Sequence, residues 1–90
     1  MQIEEFIKKH KPLNVYIEYN EHKSNYQSIE DFFNYDCNEE NIVDKEECVK
    51  QDTVYRLQVY PNTPIGCYII FASTLERAID EMDEFFSKEK

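Results

Sequence analysis

The sequence predicts an α+β fold: a small two-layer domain in which a three-stranded antiparallel sheet carries helices on one face, in the order α-β-α-(α)-β-β-α. Three observations lead to this prediction. Two stretches alternate apolar and polar side chains, a third is almost continuously apolar, and the last part of the chain repeats apolar residues at helical spacing. With 90 residues, the chain has the length of a single acidic α+β domain, residues 1–90.

The first two elements are a short helix and a strand. Residues 2–10 bring three apolar side chains onto one helical face at i, i+3 and i+4: Ile3, Phe6 and Ile7. Pro12 disfavours helical geometry in the residue before it, so the helix is expected to end there. Residues 13–20 then alternate an apolar set with a more polar set, which predicts a strand.

In the acidic middle of the chain, helices are predicted from less regular patterns. Ser28 can cap a helix that runs to about residue 35, with Asp31 at its third position as an imperfect capping box. Residues 37–41 are polar and acidic. Beyond them, Ile42, Val43 and residues 46–49 could form another short helix.

Two further strands follow. Residues 53–60 alternate in the same way as the first strand, and residues 67–72 are apolar on both faces. A strand that is apolar on both faces is typical of a central position in a sheet, so we expect 67–72 to be central. The connection between the two strands is short and holds two prolines and the only glycine, which predicts an antiparallel hairpin.

The last element is a helix with a strong pattern. Its apolar residues recur on a single helical face: Leu75, Ala78, Ile79, Met82, Phe85 and Phe86. Ser73 is expected to be the N-cap, because Ser73-Thr74-Leu75-Glu76 matches the S-x-x-E capping box.

The negative charge is concentrated in the middle third of the chain. Residues 27–52 hold nine acidic and two basic side chains, a net charge of −7 within the total of −9. Charge concentrated in this way favours a basic partner, or it serves solubility alone. We expect these carboxylates, with those on the polar face of the last helix, to pair with lysines and arginines of a partner. The predicted partner-binding residues are Glu30, Asp31, Asp36, Glu39, Glu40, Asp44, Glu46, Glu47, Asp80, Glu81, Asp83 and Glu84.

In size and acidity the chain resembles phage or mobile-element inhibitors of nucleases, such as anti-CRISPR or anti-restriction DNA mimics. The resemblance implies a non-catalytic inhibitor that occupies a basic nucleic-acid-binding surface of its target. A negative patch can imitate the phosphate backbone, which carries one charge per about 1.7 Å of duplex. An immunity protein that neutralises a toxin would use the same charges and stays an alternative.

A calcium-binding module is a further alternative. Residues 36–47 resemble an EF-hand loop, with oxygen-bearing side chains at positions 1, 3, 5, 9 and 12. Asn41 stands at position 6, where the family has glycine, and Asn is among the residues that tolerate the required conformation. Glu40 at position 5 is longer than the usual Asp or Asn. A solvated acidic loop explains the same residues.

Zinc and catalytic chemistry find little support in the sequence. Structural zinc usually takes a closely spaced pair of cysteines, whereas Cys37, Cys48 and Cys67 are isolated from one another. No sequence context marks a pairing of these thiols with His10 or His22 as an activated nucleophile. We therefore expect no enzymatic activity, no cofactor and no metal.

Direct binding of nucleic acid and of membranes is also disfavoured. A tyrosine-rich sheet surface could stack bases, but a net charge of −9 repels phosphates. The residues of that surface would be Tyr16, Arg56, Tyr60 and Tyr68. The charged residues 1–11 do not resemble a signal peptide, and the longest apolar stretch, 67–72, is far shorter than the roughly 20 residues that span a bilayer. We expect a cytoplasmic protein.

Overall fold

The computed structural model describes residues 1–21, 42–62 and 66–88. Three helices and three strands lie within these ranges: α1 (Ile3–His10), β1 (Asn14–Glu21), α2 (Lys45–Gln51), β2 (Thr53–Tyr60), β3 (Tyr68–Ala72) and α3 (Leu75–Lys88). The predicted α+β class, the three-stranded antiparallel sheet and the order of these elements are confirmed. The helix predicted over 28–35 lies outside the described residues.

The central strand of the sheet is β2. It pairs antiparallel with β1, from Asn14 opposite Tyr60 to Glu21 opposite Thr53, and antiparallel with β3 on its other side. The prediction that β3 is central is therefore wrong. Side chains of β3 are apolar on both faces because each face of that strand packs against a different group of side chains.

The main core lies between the sheet and the two helices α1 and α3. Its buried residues come from both helices and from β2 and β3: Phe6, Leu57, Val59, Ile70, Ala72, Ala78, Ile79 and Met82. Burial of one large apolar side chain contributes about 1.5–3 kcal/mol. This cluster is the larger of the two cores that the described residues form, so it supplies most of the apolar burial among them.

A smaller core lies on the opposite face of the sheet. Val54 and Phe71 lie an odd number of residues from the main-core residues of their strands, so their side chains point to the opposite face of the sheet. They pack there against Cys48 of α2. The prediction that the helices lie on one face of the sheet therefore holds for α1 and α3 and is wrong for α2. Next to them, Ile42 forms a parallel bridge with Phe71, and the N–H of Val43 donates to the Phe71 carbonyl at 2.8 Å.

The N-cap of α3 is Thr74. Its Oγ1 accepts a hydrogen bond from the N–H of Arg77 at 3.2 Å, and its carbonyl accepts one from Ala78, also at 3.2 Å. The prediction of Ser73 as the cap is wrong by one residue. The reason is that the Ser73 hydroxyl donates to the carboxylate of Asp44 instead.

The chain around β1 is the least covered part of the sheet. Leu13, Tyr16, Ile17 and Tyr19 are all exposed. Ile17 is 44% exposed, although it lies directly opposite Leu57, which is fully buried. The helices α1 and α3 therefore cover β2 and β3 far better than β1. None of the helices in the described ranges has the length and apolar character needed to cross a membrane.

The contrast between Leu57 and Ile17 gives a first prediction. We expect Leu57→Ala to lower the free energy of unfolding by about 2–5 kcal/mol, because it leaves a cavity in the main core. Ile17→Ala truncates the side chain directly opposite Leu57 on the same face of the sheet. It should lower the free energy of unfolding by about 1 kcal/mol or less, since the Ile17 side chain is half exposed. Urea unfolding at low micromolar concentration measures both. Equal losses of stability in the two variants would contradict the finding that α1 and α3 cover β2 better than β1.

Candidate protein-binding surface

The carboxylate of Asp44 is buried and fully engaged within the fold. Its side chain is 8% exposed. Oδ1 accepts a hydrogen bond from the Ser73 N–H at 2.8 Å, and Oδ2 accepts one from the Ser73 hydroxyl. The Nε of Arg77 lies 3.3 Å from Oδ2. Asp44 was predicted to face a partner, but these contacts place its charge inside the protein.

Asp44 also fixes the start of α2. Its carbonyl accepts the N–H of Cys48 at 3.1 Å, and the Cys48 thiol lies 3.6 Å from Oδ1. Burial, reinforced by the negative charge of Asp44, raises the pKa of Cys48 to about 12. The thiol is therefore protonated at neutral pH and is a packing and hydrogen-bonding group.

Glu46 and Glu47 are the predicted partner-binding residues that the structure places on an exposed helix end. Both lie in the first turn of α2 and are exposed. Glu47 accepts a hydrogen bond from Gln51 one turn later, at 3.0 Å. Carboxylates are favourable at this end of a helix because unpaired N–H groups give it partial positive charge. Asp44, immediately before α2, ties this helix end to Ser73 and Arg77.

The acidic residues of α3 are divided between internal and exposed roles. Asp80 is 2.8 Å from the amino group of Met1. Asp83 lies 3.0 Å from the Nζ of Lys9 and 2.7 Å from the Nε2 of His10. These contacts hold α1 against α3 and partly neutralise two of the predicted binding residues.

The other two predicted binding residues of this helix, Glu81 and Glu84, face outward. Glu84 forms an exposed ion pair with Lys88 at 3.2 Å, and Glu81 lies beside a cleft next to β3. The cleft has a volume of about 500 Å³ and is lined mainly by apolar side chains: Ile42, Val43, Cys67, Tyr68, Ile69, Ile70, Glu81 and Phe85.

His10 is held between aromatic rings. Its ring centroid is 4.7 Å from that of Phe6 and 5.2 Å from that of Phe86, and its side chain is almost fully buried. The hydrogen bond from His10, together with the charge of Lys9, lowers the pKa of Asp83 below its ordinary value, against the opposing effect of partial burial. This histidine thus serves to join α1 to α3.

The tyrosines considered as a base-stacking surface are divided between the two faces. Tyr16 and Tyr60 lie edge to face with their centroids 5.7 Å apart. Tyr68 pairs with Val59 and therefore points to the side of α3, where its ring is 4.7 Å from that of Phe85. The sheet does not present these three rings on one surface.

Five of the predicted binding residues lie outside the described residues: Glu30, Asp31, Asp36, Glu39 and Glu40. The first half of the EF-hand-like stretch 36–47 lies there as well. In its second half, Asp44 at position 9 has its carboxylate committed to Ser73 and Arg77. Within the described part of the chain, no group of three or more His, Cys, Asp or Glu side chains is arranged to hold a metal ion.

Ser73 and Arg77 complete the Asp44 cluster, and the sequence gives a local sign of the role of Ser73 alone. Ser73 lies 29 residues beyond Asp44. The one available hint is the pair of consecutive hydroxyl residues before α3, since only one of them can cap the helix and the other is free to bond elsewhere.

Comparison of this chain with protein-family models, with curated proteins and with solved structures found no match.

The Asp44 cluster predicts a strong energetic coupling between distant residues. Asp44→Ala leaves the buried polar groups of Ser73 without their acceptor, so we expect a loss of about 1–3 kcal/mol in the free energy of unfolding. Ser73→Ala in the same background should cost much less than in the wild type, giving a coupling of about 0.5–3 kcal/mol in a double-mutant cycle. Glu46→Ala, an exposed acid two residues away, should cost less than about 1 kcal/mol. Additive effects of Asp44→Ala and Ser73→Ala would contradict the cluster.

Acid should weaken the contact between α1 and α3. The pKa of Asp83 is lower in the folded protein than its ordinary value of 3.8. The stabilisation is therefore complete above pH 3.8 and is lost as the pH falls from there through the folded pKa. In urea titrations at decreasing pH, the wild type should lose stability more steeply than Asp83→Asn in this range. Glu84→Gln on the same helix is the control and should follow the wild type. Parallel curves for wild type and Asp83→Asn would exclude this role.

The two cysteines in the described ranges should differ in reactivity. Cys67 is exposed, while Cys48 is buried and its pKa is raised to about 12. Because the thiolate is the reactive form, we expect iodoacetamide to modify Cys67 in the native protein and to reach Cys48 only after unfolding. Peptide mapping by mass spectrometry distinguishes them. Equal native labelling of both would contradict the placement of Cys48 against Val54 and Phe71.

Proposed function

We propose that this protein is a non-catalytic inhibitor that binds another protein through an acidic surface centred on Glu46 and Glu47. The observation that carries the proposal is the combination of two adjacent exposed carboxylates, those of Glu46 and Glu47, with a helix end that is tied to the rest of the fold. Both side chains are exposed in the first turn of α2, and Asp44 ties that turn to Ser73 and Arg77. Binding groups held in place before binding lose less conformational entropy when a partner arrives.

The partner of this surface would be a protein with a basic surface. Glu46 and Glu47 belong to the segment 27–52, whose net charge is −7. Opposite charge on the two surfaces speeds association by steering and selects against acidic partners. Basic surfaces of this kind are typical of enzymes that bind the phosphate backbone of nucleic acids.

The finer form of the proposal is a DNA mimic of the anti-CRISPR or anti-restriction type, carried by a phage or mobile element. Glu30, Asp31, Asp36, Glu39 and Glu40 belong to the same acidic segment and would extend the surface. Glu81 and Glu84 would contribute secondary contacts, because Asp80 already pairs with the amino group of Met1 and Asp83 with Lys9 of α1. A nuclease toxin would present similar basic groups, so an immunity protein is included in the same proposal.

A matched pair of charge reversals tests where binding takes place. Glu46→Lys with Glu47→Lys changes the net charge by +4 at the first turn of α2. Glu4→Lys with Glu5→Lys makes the same change at the equivalent exposed turn of α1. Tagged wild type and both variants are used for capture from lysates of candidate hosts, followed by mass spectrometry. The affinity of the captured protein for each variant is then measured at low and moderate salt.

We expect the reversal in α2 to weaken binding of the captured protein at least about tenfold and the reversal in α1 to change it far less. Higher salt should weaken binding by the wild type. Equal weakening by both reversals would mean that only net charge matters. Unchanged binding by the α2 variant would refute the assignment of the surface.

A further inference from the structure

The outer edge of β1 is unpaired within residues 1–21, 42–62 and 66–88. Alternate residues of such an edge direct their N–H and C=O groups outward, where another strand can pair with them. Natural edge strands are usually short or are protected by charged side chains, especially lysine, by proline or by a bulge. β1 is eight residues long and contains neither lysine nor proline, and its charged residues are Glu18 and the terminal Glu21.

The side chains on both faces of β1 favour contact with another apolar surface. Ile17 and Tyr19 are exposed on the face that bears α1 and α3, and Tyr16 is exposed on the other. Tyrosine and exposed aliphatic side chains gathered at one place are typical of protein interfaces. An added strand would bury these side chains and pair with the outward-pointing backbone groups of β1 at the same time.

The sequence of β1 is complementary to itself in one register. Two copies related by a two-fold axis perpendicular to the sheet pair antiparallel, with side chains of the same face opposite each other. With the axis at Ile17, Tyr16 lies opposite Glu18 of the other copy, Val15 opposite Tyr19, and Asn14 opposite Asn20. Moving the axis to Glu18 would place two carboxylates face to face, which is destabilising. Moving it to Tyr16 would shorten the paired stretch.

We propose that two copies of this chain associate through the outer edges of their β1 strands, antiparallel about a two-fold axis at Ile17, and form a continuous six-stranded sheet. None of the predicted partner-binding acids lies in β1, so this proposal and the proposed function can fail independently. One strand pair with its flanking side chains makes a small interface, so the dimer is expected to exchange with monomer.

Sedimentation equilibrium of the full chain, from low micromolar to millimolar concentration, tests the association. We expect the average mass to rise from 10.9 kDa towards twice that value. Ile17→Lys places two ammonium groups opposite each other at the axis and should weaken dimerisation at least about tenfold. Ile7→Lys is the matched control, because Ile7 is 42% exposed on α1 and Ile17 is 44% exposed on β1. It should dimerise like the wild type.

A mixture of the Ile17→Lys and Ile17→Glu variants shows whether weaker dimerisation comes from loss of the interface or from loss of the fold. Opposite charges then meet at the axis, so the mixture should form a heterodimer more strongly than either variant forms a homodimer. A monomeric wild type at every concentration would overturn the proposal and leave the edge for a different protein. Dimerisation of Ile17→Lys at wild-type strength would also overturn it, and so would equal weakening of dimerisation by Ile7→Lys. The proposal would fail as well if the mixture dimerised no more strongly than either variant alone.

Discussion

The carboxylate of Asp44 joins parts of the chain that are distant in sequence. It accepts hydrogen bonds from the backbone and hydroxyl of Ser73 and faces the guanidinium of Arg77. Its own backbone begins α2, whose Cys48 packs in the smaller core. A buried carboxylate without partners would be strongly unfavourable. The arrangement of α2 against the start of α3 is therefore constrained by the need to satisfy this one charge.

Some acidic residues of this protein stabilise the fold, and others are the ones we propose to bind a partner. Asp44, Asp80 and Asp83 are committed to contacts within the fold, and two of them hold α1 against α3. Asp83 is the stronger of these two contacts, because its partner His10 is buried between aromatic rings, whereas exposed ion pairs contribute little. Glu46 and Glu47 are exposed and belong to the most acidic segment of the chain. Net charge alone does not distinguish these purposes, since it counts every carboxylate equally.

Local patterns predicted the fold class and most element bounds in the described residues. The periodic residues of α3 and the alternation in β2 each report burial on one face, which is a local property. The position of β3 in the sheet was not predictable in this way. Phe71 gives β3 a second apolar face because Cys48 and Ile42, which are distant in sequence, bury its side chain. The cap of α3 was misplaced for the same reason, since the hydroxyl of Ser73 is taken by a carboxylate 29 residues away.

The candidate surface could be predicted only as a region. The sequence identified the acidic segment that contains Asp44, Glu46 and Glu47, but it did not separate the buried carboxylate from the exposed ones. That distinction depends on a tertiary contact with Arg77. The most direct test of the central claim is competition between this protein and duplex DNA for a captured partner protein, measured at two salt concentrations. We expect one equivalent of this protein to displace the DNA, with both affinities falling as salt rises. A ternary complex, in which the partner holds DNA and this protein together, would contradict it.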